Sequence, residues 1–142
     1  MINFVAIDPG RDSGLALFIN NKYVISYSVD VYNYDQLQEI RAVLERQPLS
    51  GVATEATSWA RTNSKHKTPE YHLGGLVWAL GLQHHKLIKY TPGEWRKILG
   101  YNTQDKVESI DRVYETYNIK MKDHNQAEAI CIGLAHMKKG TK

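Results

Sequence analysis

The 142 residues are enough for one compact domain and too few for two, because domains cluster at about 100 to 150 residues. Apolar residues at 42% and charged residues at 23% exclude a disordered or low-complexity chain, and no run approaches the ~18 apolar residues of a membrane span. Eighteen Lys and Arg against fifteen Asp and Glu leave a net charge of +3, which permits an anionic partner without naming one, while the lone Cys131 rules out a disulfide framework and a Cys-based zinc site. A single soluble domain over 1–142, cytoplasmic, is the resulting expectation.

Strand signals come first, at Asn3 to Asp8, Leu15 to Ile19 and Tyr23 to Val29, in runs rich in Val, Ile, Tyr and Phe. Pro9-Gly10 with Asp12-Ser13-Gly14, and then Asn20-Asn21, read as the turns between them, so the start is an antiparallel three-stranded unit. From Tyr34 the period changes: Leu37, Ile40, Val43 and Leu44 recur at helical spacing, with Asn33 as N-cap and Pro48 beyond the end. Gly51 to Glu55 reads as a buried strand. A second helix is expected from about Pro69 to Leu82, with Leu73, Leu76, Val77 and Leu80 on one side, and Leu87 to Tyr90 is a fifth strand. The remainder is helical, from Pro92 to Leu99, from about Gln104 to Tyr117 and from about Asn125 to Met137. Gly74, Gly75 and Gly81 fall in the second helix, where glycine costs about 1 kcal/mol relative to alanine; close helix approach is expected there, against the sheet or across a dimer. The order β-β-β-α-β-α-β-α-α-α implies an α/β fold with a mixed five-stranded sheet, three strands antiparallel plus two parallel, flanked by helices. That order matches a ribonuclease H-like architecture.

Asp8 ends the first strand immediately before Pro-Gly, at the carboxyl edge where open α/β sheets place ligands. Glu55 ends the fourth strand, and an acid closing an apolar buried strand is costly unless paired or bound to a cation. A turn-forming Asp and a strand-end salt bridge are the bland alternatives. The fold order makes these two strands neighbours, so their carboxylates can converge. The last helix adds Asp123-His124-Asn125-Gln126-Ala127-Glu128 ahead of an apolar run. On a helix, His124 and Asn125 lie about 40° and about 60° around from Glu128, whereas Asp123 lies about 140° away and can join only from the N-cap. Against this stands an ordinary Asp123 cap with Glu128 on a polar stripe. Three carboxylates with oxygen-rich neighbours suit Mg²⁺, with Mn²⁺ as a substitute; two such ions, about 3.5 to 4 Å apart, clamp a phosphodiester for hydrolysis.

Ile7-Asp8-Pro9-Gly10 with Gly14-Leu15-Ala16, the strand-end Glu55 with Asn63 beyond it, and the Gln126-Ala127-Glu128-Ala129-Ile130-Cys131-Ile132-Gly133 helix together resemble the RuvC family of Holliday junction resolvases, in a short, phage-type form. The resemblance covers Asn3 to about Met137. It implies a homodimer that nicks a four-way DNA junction symmetrically, with four acidic or His ligands holding divalent metal. Asp8 and Glu55 match the first two ligand positions, and Glu128 falls where an Asp is usual. Asn125 stands where the family has Asp or His, which leaves the fourth ligand open among Asn125, His124 and Asp123. The Gly10 to Gly14 spacing is also shorter than in the bacterial resolvases.

Tyr90-Thr91-Pro92-Gly93-Glu94-Trp95-Arg96 is similar to the family segment with a basic phosphate-contacting residue, here Arg96, and Lys106 matches a second catalytic lysine. Arg61, Lys65 and Lys67 after the Glu55 strand, with Lys97 beside Arg96, complete a basic set able to neutralise phosphates. Trp59 is placed either to stack on an unpaired base or in the core. Cys131 reads as core packing, and His84, His85 and His136 as surface or boundary residues. Metal-dependent, structure-selective cleavage of branched DNA is the leading reading. A two-lobed nucleotide phosphotransferase is excluded by length, so no nucleotide cofactor is expected. A catalytically weak or inactive branched nucleic-acid binder of the same fold remains open through Asn125.

Overall fold

The computed structural model describes residues 3–56, 64–101 and 107–140, and of 64–69 and 107 the backbone only. Strands β1 (Phe4–Asp8), β2 (Asp12–Ile19) and β3 (Lys22–Asp30) form an antiparallel meander, pairing Phe4 with Phe18, Asp8 with Gly14 and Ile19 with Lys22. Asn20 and Asn21 both take left-handed backbone, φ 54° and 61°, which a tight two-residue hairpin requires if its twist is to match the strands. Helix α1 (Tyr34–Glu45) starts as expected, with Asn33 Oδ1 accepting the Gln36 N–H at 3.2 Å, and returns the chain to β4 (Gly51–Glu55), parallel to β1. Helix α2 (Ser64–Ala79) leads to β5 (Leu87–Tyr90), parallel to β4, and helices α3 (Pro92–Leu99), α4 (Val107–Tyr117) and α5 (His124–Gly140) follow. The sheet order is β3-β2-β1-β4-β5.

Two local expectations are corrected and a third, on the glycines of the second helix, is narrowed. Asp12-Ser13-Gly14 is not turn but the start of β2, opposite Asp30, Val29 and Ser28. Ser13 makes this possible by donating its hydroxyl to the Gly10 carbonyl at 2.7 Å and accepting the Gly10 N–H at 3.1 Å, which closes the turn before Asp12. Helix α2 begins at Ser64 rather than Pro69 and ends at Ala79 rather than Leu82. Its stop is Gly81 at φ 70°: the Leu82 N–H reaches the Val77 carbonyl at 2.8 Å and the Gly81 N–H the Trp78 carbonyl at 3.1 Å, a left-handed cap. Gly74 and Gly75 are exposed, and a Cβ on either would meet nothing within 4 Å, so neither serves packing against the sheet.

Alternation along the strands divides the core into two layers. Val5, Ile7, Leu15, Leu17 and Val52 face Leu37, Ile40 and Leu44 of α1 and Leu73, Leu76 and Val77 of α2. Phe4, Ala6, Ala16, Phe18 and Ala53 face the other way, toward Trp95, Val113 and the α5 residues Ala127, Ile130 and Cys131. Helix α5 lies on β2 at two glycines. A Cβ on Gly14 would strike the backbone carbonyl of Asn125, and one on Gly133 would strike the Phe18 ring. Gly14 to Phe18 spans about 13 Å of strand. Asn125 to Gly133 spans about 12 Å of helix, so the two contacts fix the position of α5 along the sheet. Gly133→Ala should therefore destabilise the protein by about 1 to 3 kcal/mol, read as a lower urea midpoint; an unchanged midpoint would mean that α5 does not sit this close to Phe18.

Candidate active site

Asp8 closes β1 and Glu55 closes β4, each one residue beyond the last pair of their parallel ladder, Ile7 with Thr54. The Thr54 hydroxyl donates to the Ile7 carbonyl at 3.0 Å and ties the two strand ends together. By alternation Asp8 follows Phe4 and Ala6, and Glu55 follows Ala53, so both carboxylates lie on the α5 side. Gly14, the partner of Asp8 across β2, admits the first turn of α5 against that edge.

Helix α5 begins with Asp123 as its cap. Asp123 Oδ1 accepts the Asn125 N–H at 3.0 Å, and its backbone carbonyl accepts the Ala127 N–H at 3.2 Å. The other oxygen, Oδ2, is buried and accepts no hydrogen bond among the described residues. One turn on, Glu128 is only 6% exposed, and its Oε1 lies 3.8 Å from Arg96 Nη2. That is beyond hydrogen-bond reach, so Glu128 Oε1 is a second buried carboxylate oxygen without a donor among the described residues. His124 and Asn125 are half-buried at the same end, while Gln126 turns to β3, accepting from the Ser26 hydroxyl at 2.8 Å.

The neighbour that sequence reasoning missed is Trp95. It is fully buried on α3 and donates its indole N–H to Glu55 Oε2 at 2.7 Å. Only its position in an amphipathic helix was visible beforehand, and that signals burial without naming an acceptor. Arg96, the next residue, stacks its guanidinium 4.9 Å from the Trp95 ring and faces Glu128. Lys97 is exposed, about 100° further round the helix. Trp59, Arg61, Asn63 and Lys106 lie outside the described residues, as do the side chains of Lys65 and Lys67. Lys89 is engaged by Glu70 at 3.1 Å. Cys131 is core packing, as expected: burial pushes its thiol up to about 11, opposed by hydrogen bonds with Tyr101 and Ser109. His136 is a boundary residue whose Nδ1 meets the Tyr90 hydroxyl at 2.7 Å, and burial lowers its pKa.

The donor chemistry fits a hard divalent cation, since two buried carboxylate oxygens lack a donor beside two strand-end acids. The cage is not closed, however: among the described residues no three His, Cys, Asp or Glu side chains are grouped to hold an ion.

No protein-family model and no curated protein matches the sequence. Solved structures do. Over 99% of this chain and 96% of the other, a Thermus thermophilus RuvC in complex with a Holliday junction substrate superposes with a TM-score of 0.73 at 20% identity. A second structure of Thermus thermophilus RuvC gives 0.71 at 21% identity over the same shares. The fold is that of RuvC. The ribonuclease H-like architecture expected from the element order is therefore the one adopted, with the strand-end acids where the sequence placed them. No helix among the described residues is long and apolar enough to cross a membrane.

Gly14→Ala should push the Asn125 end of α5 away from the Asp8 edge. A loss of stability of about 1 to 3 kcal/mol, read as a lower urea midpoint, is the expected outcome; an unchanged midpoint would show that the helix end has no fixed place relative to Asp8.

Proposed function

We propose that this protein is a metal-dependent, structure-selective endonuclease that hydrolyses phosphodiesters in branched DNA and resolves four-way junctions by paired nicks. The observation that carries the reading is the in-register placement of Asp8 and Glu55 at the ends of parallel neighbours, on the face that receives Glu128. The RuvC fold, seen elsewhere on a Holliday junction substrate, supports the substrate class. Asp8, Glu55 and Glu128 would hold Mg²⁺ or Mn²⁺, two ions per site, with Asp123, Asn125 or His124 as the remaining ligand. When bound, such ions activate water and stabilise the leaving oxygen. The chain's own groups do the rest. Arg96 and Lys106 neutralise the phosphate and its developing charge, and Arg61, Lys65, Lys67 and Lys97 hold the backbone of the DNA. Trp59 stacks on an exposed base.

Asp8→Asn and Glu55→Gln should each abolish Mg²⁺-dependent nicking of a four-way junction while leaving junction binding largely intact, because phosphate contacts are made elsewhere. Retained nicking by Asp8→Asn would remove the proposal. The turn of Glu128 toward Arg96 favours one competing reading, a junction-binding protein without catalysis. A gel assay of junction and linear duplex separates the two, since a pure binder ignores Mg²⁺.

Paired nicking implies a two-fold homodimer. Helix α2 carries the face that suits it: Tyr71 and Trp78, 71% and 69% exposed, flank the exposed Gly74 and Gly75 at helical spacing, so each Trp78 has a glycine hollow to enter on a second copy. Trp78→Lys should raise the dimer dissociation constant at least tenfold in sedimentation equilibrium. An unchanged constant would move the dimer contact off α2.

A further inference from the structure

The Trp95 to Glu55 bond joins two residues 40 positions apart, and neither chain proximity nor solvent exposure accounts for it. An indole N–H is a donor only, and burying it without an acceptor is costly. Here the acceptor is a strand-end carboxylate rather than a backbone carbonyl.

The frame that holds Trp95 is rigid on both sides. Helix α3 opens on a capping box, with the Thr91 hydroxyl accepting the Glu94 N–H at 3.2 Å and Glu94 Oε1 accepting the Thr91 N–H at 3.0 Å, and it closes on Gly100 at φ 73°. Tyr101 packs edge-on against the Trp95 ring with centroids 5.4 Å apart, and its hydroxyl reaches Ser109 at 2.8 Å and Cys131 at 3.2 Å. Arg112 Nη2 donates to the Gly100 carbonyl at 3.1 Å. The indole is thus clamped from α4 and α5 and cannot swing to follow a wandering carboxylate. The carboxylate must come to it.

We infer that Trp95 is the positioning residue for Glu55: its N–H engages Oε2 and sets the plane of the carboxylate without neutralising it. The indole N–H is a neutral donor, so it orients the group without bringing the positive charge that a Lys or Arg in its place would set against a bound cation. The inference rests on the reading of Glu55 as a metal ligand.

The test uses the full-length chain labelled with ¹⁵N. Its three tryptophans, Trp59, Trp78 and Trp95, give separate indole N–H signals, and Trp95→Phe identifies the one that belongs to Trp95. On addition of Mg²⁺ the Trp95 indole signal should shift in the parent protein and stay still in Glu55→Gln. Mn²⁺ binding, followed by the electron-spin signal of the free ion, should weaken about tenfold or more in Trp95→Phe. Backbone signals around Asp8 and Glu128 that respond to Mg²⁺ while the Trp95 indole does not would overturn this inference alone. No Mg²⁺ response anywhere would overturn it together with the nuclease reading. If Trp95→Phe fails to fold, the indole signal that responds to Mg²⁺ in the parent and not in Glu55→Gln is assigned by removing Trp59 and Trp78 instead, and the same outcomes decide.

Discussion

Helix α5 touches the sheet at two places where a side chain would forbid contact. Gly14 clears space on the strand for the Asn125 carbonyl, and Gly133 clears space on the helix for the Phe18 ring. Because these contacts are separated by matching lengths of strand and helix, α5 cannot slide along β2 without a backbone clash at one end. The site follows from that constraint. Asp8 is across the ladder from Gly14, so the contact that seats the helix also brings the Asn125 end of α5 to the sheet edge that Asp8 closes. Packing in the layer beneath α5 is dense and apolar, from Phe4 stacked on Phe18 at 4.8 Å to the fully buried Cys131, and such an interior does not readily absorb a displaced helix.

Around the carboxylates the protein uses two kinds of partner from one short helix. Trp95 holds Glu55 by a neutral donor at 2.7 Å, while Arg96 stands 3.8 Å from Glu128, near enough to stabilise its charge and too far to satisfy its oxygen. One acid is thereby oriented by a neutral hydrogen bond, and the other has a guanidinium nearby without a bond to it.

Much of this was legible from residue order. Period-two runs closing on Asp8 and Glu55 located the two acids on adjacent strands, and the polar start of the Ala127 to Ala135 run located Glu128, because these signals are local and repeat along the element. Asn33 and Asp123 announced their helix starts for the same reason. The errors were equally physical. Asp12-Ser13-Gly14 has turn composition, yet the Ser13 hydroxyl folds back on Gly10 and releases those residues to pair in β2. Pro69 looked like a first helical residue, but α2 had already begun at Ser64. Gly74, Gly75 and Gly81 looked alike in sequence, and what separated them was tertiary: one is a helix stop at positive φ, and two lie open on the surface, which removes the sheet as their partner.

By itself the sequence determined the element order, the topology that order permits and the strand or helix end on which each acid sits, since periodicity, caps and turns act over a few residues. Only the tertiary structure decided that Gly14 and Gly133 are the seats of α5, that Trp95 donates to Glu55, and that Glu128 faces Arg96. Those are contacts between segments far apart in the chain, fixed by which side chains fit together once the sheet and helices have packed, and no local pattern carries that information.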